Sequence, residues 1–367
     1  QVVVAGDSMQ LQPNDLYRAK WDDQEDEIEL SVESLLDLSK YFLEEVQLQG
    51  HYRSKSLSLI DFSNQHFYTG SLRLLPHFES EQDQQPAIKY VQTDGIWEDG
   101  SNQKEADHVA QLVYDFTIKE AKKSIGIVTF NFRQQNLIYD TVEKLFQEKD
   151  LTLPNSLFIK NIENVQGDER DLILFSVGYA PDKKGILRMQ FGSLNVEGGE
   201  NRLNVAITRA KERIIVVASI KPSELKIDSL KNQGPKLLKA YLEYALQVSD
   251  GTWVPQIPSE EGHNLAWYLR NKLEQEFTND RYSLKKDLPF ADLSLRSDRQ
   301  YLGLILTDDE RYHRALTPKQ IYAYQHFHLQ MKGWPHMRIH SRDFWIDREE
   351  VMEKIERLRF HTEQDEG

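Results

Sequence analysis

The stretch NRLNVAITRAKERIIVVAS (residues 201–219) combines a helical pattern with an apolar run. Its first half predicts a helix that carries Asn204, Thr208 and Arg209, and the β-branched residues 214–217 predict a buried strand directly after it. A guanidinium group suits phosphate recognition because it stays charged and offers a planar fork of donors. Arg209 is therefore a candidate phosphate contact, although a helix with one solvated arginine would show the same local pattern.

Upstream, a polar turn precedes another apolar run. In IENVQGDERDLILFSVGY (residues 162–179), the turn residues Gln166, Gly167, Asp168 and Glu169 lead into a predicted buried strand at 172–177. A plain Gly-Asp turn before a strand would explain this block taken alone.

Three more blocks complete the pattern. The chain opens with a short predicted strand, Val2-Val3-Val4, followed by GDSMQLQP (residues 6–13). HYRS (residues 51–54) comes next, and IGIVTFNFRQQNLI (residues 125–138) predicts a strand followed by a helix.

In their order, these five blocks resemble motifs of the Upf1-like (DNA2/NAM7-type) branch of superfamily 1 helicases. GDSMQLQP resembles GDxxQLPP with Gln12 in place of the first proline, HYRS resembles QYRM, and NVAITRA resembles the sixth motif. In the block that resembles TPYxxQ, Phe130 and Asn131 replace Pro-Tyr. Because all five follow the family order within residues 1–219, the chain is identified as a member of this branch.

The resemblance implies roles for the matched residues. Arg53 and Arg209 would contact the γ-phosphate of ATP, and Gln10 would couple that phosphate to the nucleic-acid side; these three are the catalytic candidates. The implied nucleotide-binding set is Gly6, Asp7, Gln10, Arg53, Gly167, Asp168, Glu169 and Arg209. The implied nucleic-acid-binding set is Thr129, Gln134, Gln166, Asn204 and Thr208.

The motor pattern lacks its first half in this sequence. The chain contains no GxxxxGK[ST] phosphate loop, and no DExx motif precedes the first strand. We therefore expect a C-terminal fragment of an ATP-dependent helicase whose first RecA-like lobe is supplied in cis or in trans. ATP and Mg²⁺ would be cofactors of the full-length protein, with none bound tightly by the fragment, and the 367 residues alone would not hydrolyse ATP.

Composition narrows the class of protein. The chain is 39% apolar and 28% charged, contains no cysteine and carries a net charge of −14. These values describe a globular protein without disulfides or thiolate metal sites, and we expect it to be cytoplasmic with no membrane partner. A phosphate backbone needs a local basic groove, so this acidic balance predicts weak affinity of the fragment for DNA or RNA.

Strand–helix alternation predicts an α/β fold: a RecA-like parallel sheet with helices on both faces, plus a small restriction-endonuclease-like domain. We expect the end of the first lobe at 1–48, the second lobe at 49–247, a linker at 248–259 and the C-terminal domain at 260–367. The predicted strands lie at 88–92, 125–130, 157–162, 172–177 and 214–217. The predicted helices lie at 31–45, 105–120, 134–149 and 234–246.

The C-terminal domain has a predicted α-β-β-α-β order, with helices at 264–277, 319–332 and 348–358 and strands at 291–295, 301–306 and 337–340. It resembles Vsr-like, PD-(D/E)xK-type nuclease domains and keeps Asp292, Asp308, Tyr312 and His313 of that pattern. The glutamate of the second strand falls on Leu306, so we expect a degenerate nuclease fold. Asp292 and Asp308 would hold a metal only if the domain cleaves nucleic acid.

Three functions thus stay open. The first is a lobe of an ATP-dependent helicase or translocase, and the second is a nucleic-acid or protein binding module with an inactive nuclease fold. The third is an active, metal-dependent nuclease. The sequence does not separate DNA from RNA as the substrate.

Overall fold

The computed structural model describes residues 2–11, 34–82, 85–227, 230–257, 268–298, 300–313, 315 and 317–358. The chain divides into two compact units. The N-terminal unit comprises Gln1–Gly50, Phe62–Leu72 and Ala87–Asp250, and the C-terminal unit comprises His51–Asp61, Arg73–Pro86 and Gly251–Gly367. The acidic segment at 21–30 and residues 31–33 of a predicted helix lie outside the described residues.

Strands and helices alternate along much of the chain. The strands are β1 Ile88–Gln92, β2 Ile125–Thr129, β3 Phe158–Asn161, β4 Arg170–Ser176, β5 Ala210–Ala218, β6 Ser283–Lys285, β7 Leu293–Arg296, β8 Tyr301–Leu306 and β9 His336–Arg338. The helices are α1 Leu35–Lys40, α2 Ser58–Phe67, α3 Phe78–Gln82, α4 Gln103–Lys119, α5 Phe132–Glu148, α6 Gly199–Ile207, α7 Gln233–Ser249, α8 Leu269–Glu276, α9 Glu310–His313, α10 Gln325–Met331, α11 Ser341–Ile346 and α12 Arg348–Leu358.

The N-terminal unit is built on a five-stranded parallel sheet with the order β1-β5-β4-β2-β3. The five strands predicted between residues 88 and 217 form, and the observed ends differ from the predicted ones by a few residues. The prediction of a short strand at Val2-Val3-Val4 is wrong: these residues pair with no strand of the described chain, and Val2 and Val3 are exposed. The sheet is buried because its strands are β-branched runs that expose almost no side chain: every residue of β2 is buried.

Helices cover both faces of this sheet. Leu172 and Leu174 of β4 pack with residues of α4 and α5 in one apolar cluster. Phe175 points to the opposite face, since neighbouring residues of a strand alternate, and its ring lies 6.1 Å from that of Tyr241 in α7. The predicted α/β class, a RecA-like parallel sheet with helices on both faces, is confirmed.

At one edge of the sheet, a glycine of β2 lies in close contact with an aromatic ring of β3. Gly126 of β2 pairs with Phe158 of β3, and the Phe158 ring lies over the glycine. A Cβ at position 126 would approach that ring to 2.4 Å. Glycine at this position therefore makes room for the aromatic side chain of the neighbouring strand.

The helix of the opening sequence ends earlier than predicted. Helix α6 stops at Ile207, Thr208 is its C-cap, and Arg209 lies in the turn before β5. The Thr208 hydroxyl donates to the carbonyls of Asn204 and Val205, which closes the last helical turn. The prediction that Thr208 and Arg209 belong to the helix is wrong, because strand pairing already begins at Ala210.

The C-terminal unit contains a four-stranded sheet with the order β6-β7-β8-β9. The pairs β6–β7 and β7–β8 are antiparallel, whereas β8–β9 is parallel. Ile305 of β8 faces one apolar cluster, while Leu304 and Leu306 face another that includes the buried Trp334. Both faces of this sheet are therefore covered.

The predicted element order of this unit is incomplete. Strand β6 and helices α9 and α11 are additional, and the predicted helix 319–332 begins as a π-helical turn, Gln320–Tyr324, before α10. Segments 51–61 and 73–86, which we expected in the second lobe, belong to this unit: Trp334 Nε1 donates to the Pro76 carbonyl at 2.9 Å. The predicted domain boundaries stay a prediction.

Among the described residues, no helix has both the length and the apolar character that crossing a bilayer requires.

Candidate functional site

The segment after the opening valines lies against helix α6 in the N-terminal unit. Asn204 Nδ2 donates to the Met9 carbonyl at 2.8 Å, and Asn201 Nδ2 donates to the Ser8 carbonyl at 3.3 Å. The structure thus brings together the first and the last of the five sequence blocks, which are almost 200 residues apart in the chain.

Asp7 is the centre of this contact. Its Oδ1 accepts from the Met9 backbone N–H at 2.9 Å, and its Oδ2 accepts from Gln10 Nε2 at 2.9 Å and from the Tyr68 hydroxyl at 2.8 Å. Tyr68 in turn accepts from Asn204 Nδ2 at 3.2 Å. The carboxylate therefore fixes the amide of Gln10, and Tyr68 links it to helix α6.

Tyr68 is a site residue that sequence reasoning missed. Burial raises the pKa of its hydroxyl to about 12; the Asp7 carboxylate raises this pKa further, while the Asn204 amide and the Arg209 guanidinium oppose the rise. The hydroxyl therefore stays protonated at neutral pH and must donate to Asp7. Its place after α2 gives no local sequence signal, because its partners Asp7 and Asn204 lie far away in the chain.

Arg209 lies at the C-terminal end of α6 and is 3% exposed. Its Nε donates to the Val205 carbonyl at 2.8 Å, and one terminal nitrogen lies 3.4 Å from the Thr208 hydroxyl. The last turn of the helix, with its unpaired carbonyls, therefore positions the guanidinium. The charge of Arg209 lowers the pKa of the Tyr68 hydroxyl, so the guanidinium lies within electrostatic range of the Asp7 network.

Arg53 belongs to the C-terminal unit. Its guanidinium lies 5.8 Å from the centroid of the Tyr52 ring, a cation–π distance, and Tyr52 is itself exposed. The predicted contact of Arg53 with a nucleotide stays a prediction.

A second polar network lies at the carboxyl ends of the sheet strands. Gln134 exchanges two hydrogen bonds with the Asn102 backbone, at 2.7 and 3.2 Å, and donates to Ser176 Oγ at 3.0 Å. Glu105 accepts from Ser176 Oγ at 2.9 Å and from the Gly178 N–H at 2.8 Å. These bonds tie helices α4 and α5 to the end of β4.

Glu105 is an unusual residue for such a buried place. It is 0% exposed, and burial raises the pKa of its carboxyl to about 7, against the opposing effect of the Gly178, Ser219 and Ser176 hydrogen bonds. Sequence analysis did not single it out because a glutamate in the first turn of a helix ordinarily marks a solvated N-terminus.

Thr129 and Gln134 are fully buried. The Thr129 hydroxyl donates to the Asn131 carbonyl at 3.0 Å, and Gln134 is engaged as described. In this conformation both side chains fix the backbone where β2 ends, out of reach of solvent. Their predicted contact with nucleic acid stays a prediction, as it does for Thr208, whose hydroxyl caps α6.

The turn before β4 is open to solvent. Gln166 and Gly167 are exposed, and Gly167 has a φ of 87°, a conformation that favours glycine. Asp168 pairs with Lys160 at 2.5 Å, and Glu169 pairs with Lys211 at 2.8 Å. The two acidic residues are thus partly neutralised by the protein itself, and their predicted contact with ribose stays a prediction.

The two acidic residues matched to the nuclease pattern, Asp292 and Asp308, are held by other side chains of the C-terminal unit. Asp308 accepts from the Ser341 N–H at 2.9 Å and from its hydroxyl at 2.6 Å. Buried Asp292 accepts from the Thr307 N–H and lies 3.5 Å from Arg311 Nε, and burial raises its pKa. Within the described part of the chain, no three Asp, Glu or His side chains are placed to share an ion. The arrangement does not fit the carboxylate cluster that Mg²⁺ needs.

The part of the chain that contains this site is similar to known proteins. The model of a family described as "AAA domain" matches residues 32–221. The chain is 30% identical, over 395 aligned positions, to an uncharacterized ATP-dependent helicase of Mycoplasma pneumoniae, the MG140 homolog. It is 37% identical over 261 positions to the uncharacterized ATP-dependent helicase MG140 of Mycoplasma genitalium.

The alignments cover 98% and 66% of this chain but only 35% and 23% of those relatives, so the chain spans about a third of their length or less. A solved structure, the C-terminal domain of a possible DNA helicase from Lactobacillus plantarum, aligns with 46% of this chain and 86% of its own at 13% identity. Its TM-score is 0.29, which is too low to carry an argument.

Proposed function

The chain belongs to the AAA-domain family and is a member of the helicase superfamily, and from this premise we propose that it is the nucleotide-sensing second lobe of an ATP-dependent nucleic-acid motor of the Upf1-like branch. The observation that carries the proposal is a hydrogen-bonded path that runs from Gln10 through Asp7 and Tyr68 to Asn204. Asn204 lies on α6, the helix that Arg209 follows in the chain. This path joins the groups that would have to report on ATP.

In the proposed mechanism, Arg209 contacts the γ-phosphate, because a guanidinium group stabilises the charge that develops on a transferred phosphoryl group. Arg209 follows α6 and donates to the Val205 carbonyl in its last turn, so a change in its contacts would be transmitted to Asn204 and from there to the Met9 carbonyl and Tyr68. Gln10 responds because the same Asp7 carboxylate accepts from it and from Tyr68. When bound, Mg²⁺ would supply charge neutralisation at the phosphates.

The nucleic acid would pass over the C-terminal ends of the sheet strands. There the buried side chains of Thr129 and Gln134 fix the ends of β2 and β4. The exposed turn at Gln166 and Gly167 would offer the backbone contact. DNA and RNA are both compatible with these groups.

A partner lobe would bring the phosphate cradle, in cis or in trans. Apolar side chains near the start of the described chain support this part of the proposal, because Phe42 is 70% exposed, Val46 75% and Leu48 85%. Large apolar side chains exposed within one short segment mark a surface that another protein body covers.

For the C-terminal unit we propose a nuclease-like fold that binds and does not cleave. Two contacts support this assignment: Asp308 accepts a hydrogen bond from Ser341, and Arg311 lies beside Asp292.

The decisive experiment measures ATP turnover in a protein that carries this lobe together with its phosphate-binding lobe. Arg209→Ala is expected to lower kcat by about 1,000-fold, the effect typical of removing an arginine from a phosphoryl-transfer site, with little change in KM. Arg213→Ala is the matched control: Arg213 lies on β5, four residues after Arg209, but pairs with Glu120, so the kcat of this variant should change less than about threefold. If Arg209→Ala kept a tenth of the activity, the proposed function would be wrong.

A further inference from the structure

One stretch of the C-terminal unit departs from the acidic character of the chain. Residues 311–342 contain six lysines or arginines and five histidines but neither aspartate nor glutamate, in a protein whose net charge is −14. This stretch forms most of α9, the π-helical turn, α10, β9 and the first residues of α11. Its charge has the sign that a polyanion would attract.

The same stretch exposes large rings. Tyr322 is 53% exposed, Tyr324 48% and Phe327 55%, and all three lie on the continuous π-helical and α-helical segment 320–331. Rings this exposed gain little from the core of the unit, whose buried member in this segment is Leu329. They are available to stack with a ligand.

Cations lie beside these rings. Lys319 Nζ is 5.6 Å from the centroid of the Tyr324 ring, and the Arg338 guanidinium is 5.8 Å from that of Tyr322. Arg342 is exposed at the start of α11 and is followed by the exposed Asp343. Asp308, hydrogen-bonded to Ser341, acts electrostatically on Arg338, so the basic character is less diluted on the side of Lys319 and Tyr324.

We propose that the aromatic–basic face made of Lys319, Tyr324 and Phe327 binds single-stranded nucleic acid. Tyr324 and Phe327 are three residues apart on the helical segment and so share one side of it, and Lys319 lies beside the Tyr324 ring. Phosphates would contact Lys319, and unpaired bases would stack on the two rings. An acidic protein would satisfy the cations but would not use the rings, and a duplex hides its base faces inside the helix. This surface goes beyond the motor lobe and does not depend on the proposed function of Arg209.

The test uses the whole 367-residue chain and a fluorescein-labelled single-stranded oligonucleotide in an anisotropy titration at low salt, with DNA and RNA versions. Tyr324→Ala combined with Phe327→Ala is expected to weaken binding at least tenfold, since stacking on each ring contributes at least about a fivefold gain in affinity. Trp345→Ala is the matched control, because Trp345 is 60% exposed in the same unit but lies outside the face and between Asp343 and Asp347. It should change affinity less than about twofold.

A charge pair and a ligand pair complete the design. Lys319→Glu is expected to weaken binding more than about fivefold, whereas Lys354→Glu makes the same charge change in the same unit, at a residue paired with Glu350, and should have little effect. An oligonucleotide with abasic sites keeps the phosphates but removes the stacking, so it should bind several-fold more weakly.

Several results would overturn the inference: equal affinity for the abasic strand, unchanged binding by the face variants, or no binding by the wild-type chain. None of these results alters the ATP-turnover test of Arg209, so the two proposals fail separately. A photo-crosslinking oligonucleotide should label peptides within 317–331, and labelling confined to the N-terminal unit would contradict the assignment.

Discussion

Tyr68 shows how much of this site depends on a single hydroxyl group. Its oxygen donates to Asp7 and accepts from Asn204, residues that lie 61 and 136 positions away in the sequence. Both bonds are short enough to be well formed, and burial keeps the hydroxyl protonated. The segment that carries Gln10 is therefore fastened to helix α6 through this residue.

Replacing Tyr68 by Phe should release that segment without unfolding the unit. A hydrogen bond of this kind contributes about 1 kcal/mol, which corresponds to about a fivefold change in a local equilibrium. We expect backbone hydrogen exchange at residues 7–11 to accelerate by about that factor at short labelling times. Exchange in β2 and β4 should stay at the wild-type rate.

Tyr241→Phe provides the matched control. Its hydroxyl is buried in the same unit but has no hydrogen-bond partner within the described structure, so its removal should leave exchange at residues 7–11 unchanged. Equal exchange at 7–11 in Tyr68→Phe and wild type would show that Tyr68 does not hold the segment.

At this scale the sequence predicted Asn204, Arg209 and Gln10 as site candidates but not Tyr68. The first three stand within recognisable local patterns, and the geometry brings two of them into one network. The role of Tyr68 depends on partners that only the folded chain brings near, and a tyrosine after a helix has no distinctive local pattern.

At the scale of elements, the β-branched and apolar runs were sufficient to predict all five strands of the parallel sheet. The three-residue strand β6 was missed because so short a run has no readable alternation. The π-helical turn was missed because its sequence is helical in character, and the wider turn depends on how the segment packs. The early end of α6 follows from side-chain capping by Thr208, which the pattern does not show.

Glu105 joins several of these elements at the carboxyl edge of the sheet. Its pKa is raised from 4.5 to about 7, mainly by burial. A carboxyl group with a raised pKa in the folded state favours folding while it is protonated, and that contribution is lost as the pH rises through the folded pKa. The network should therefore be more stable at pH 6 than at pH 8.

Glu105→Gln should remove this dependence, because the amide resembles the protonated carboxyl at every pH. Relative to this variant, the wild-type free energy of unfolding should fall by about 1 kcal/mol between pH 6 and pH 8. Urea titrations followed by the fluorescence of Trp97, which packs on Tyr179 in the same unit, would measure the difference. This pH range also stays above the isoelectric point of about 5.3.

Asp107→Asn, two residues further along α4 and on its exposed side, is the control and should show the same pH dependence as the wild type across this range. A pH dependence that is identical in Glu105→Gln and wild type would mean that Glu105 is ionised in the folded protein throughout.

At the scale of the whole molecule, the exposed apolar side chains at positions 42–48 provide a test of the proposed partner lobe. The 367-residue chain alone is expected to show no ATP turnover, and a phosphate-binding lobe supplied in trans or by fusion should restore it. Phe42→Ser combined with Val46→Ser should weaken that restoration at least tenfold, because both side chains are more than two-thirds exposed and apolar.

Ile118→Ser is the comparison variant, since Ile118 is 57% exposed on α4 of the same unit but lies outside this stretch. Turnover by the chain alone, or equal loss in both variants, would contradict the proposed surface.

The fold class followed from the sequence, while the grouping of segments into units did not. Segments 51–61 and 73–86 lie in the C-terminal unit through contacts such as that of Phe78 with Trp334, which connect residues more than 250 positions apart. Likewise, Asp292 and Asp308 had the spacing of metal ligands, but their neighbours Arg311 and Ser341 occupy them in the folded chain. Composition and periodicity do not specify such partners.

Gly126 and Phe158 share one small volume between β2 and β3, since a Cβ on the glycine would come within 2.4 Å of the ring. A substitution at one of these positions is therefore expected to depend on the residue at the other. Descendants that acquire a side chain at 126 should carry a smaller residue at 158, and those that keep the aromatic ring should keep the glycine. The two sites should therefore show correlated substitution, a record of the sheet edge that any sufficiently deep collection of homologous genes would preserve.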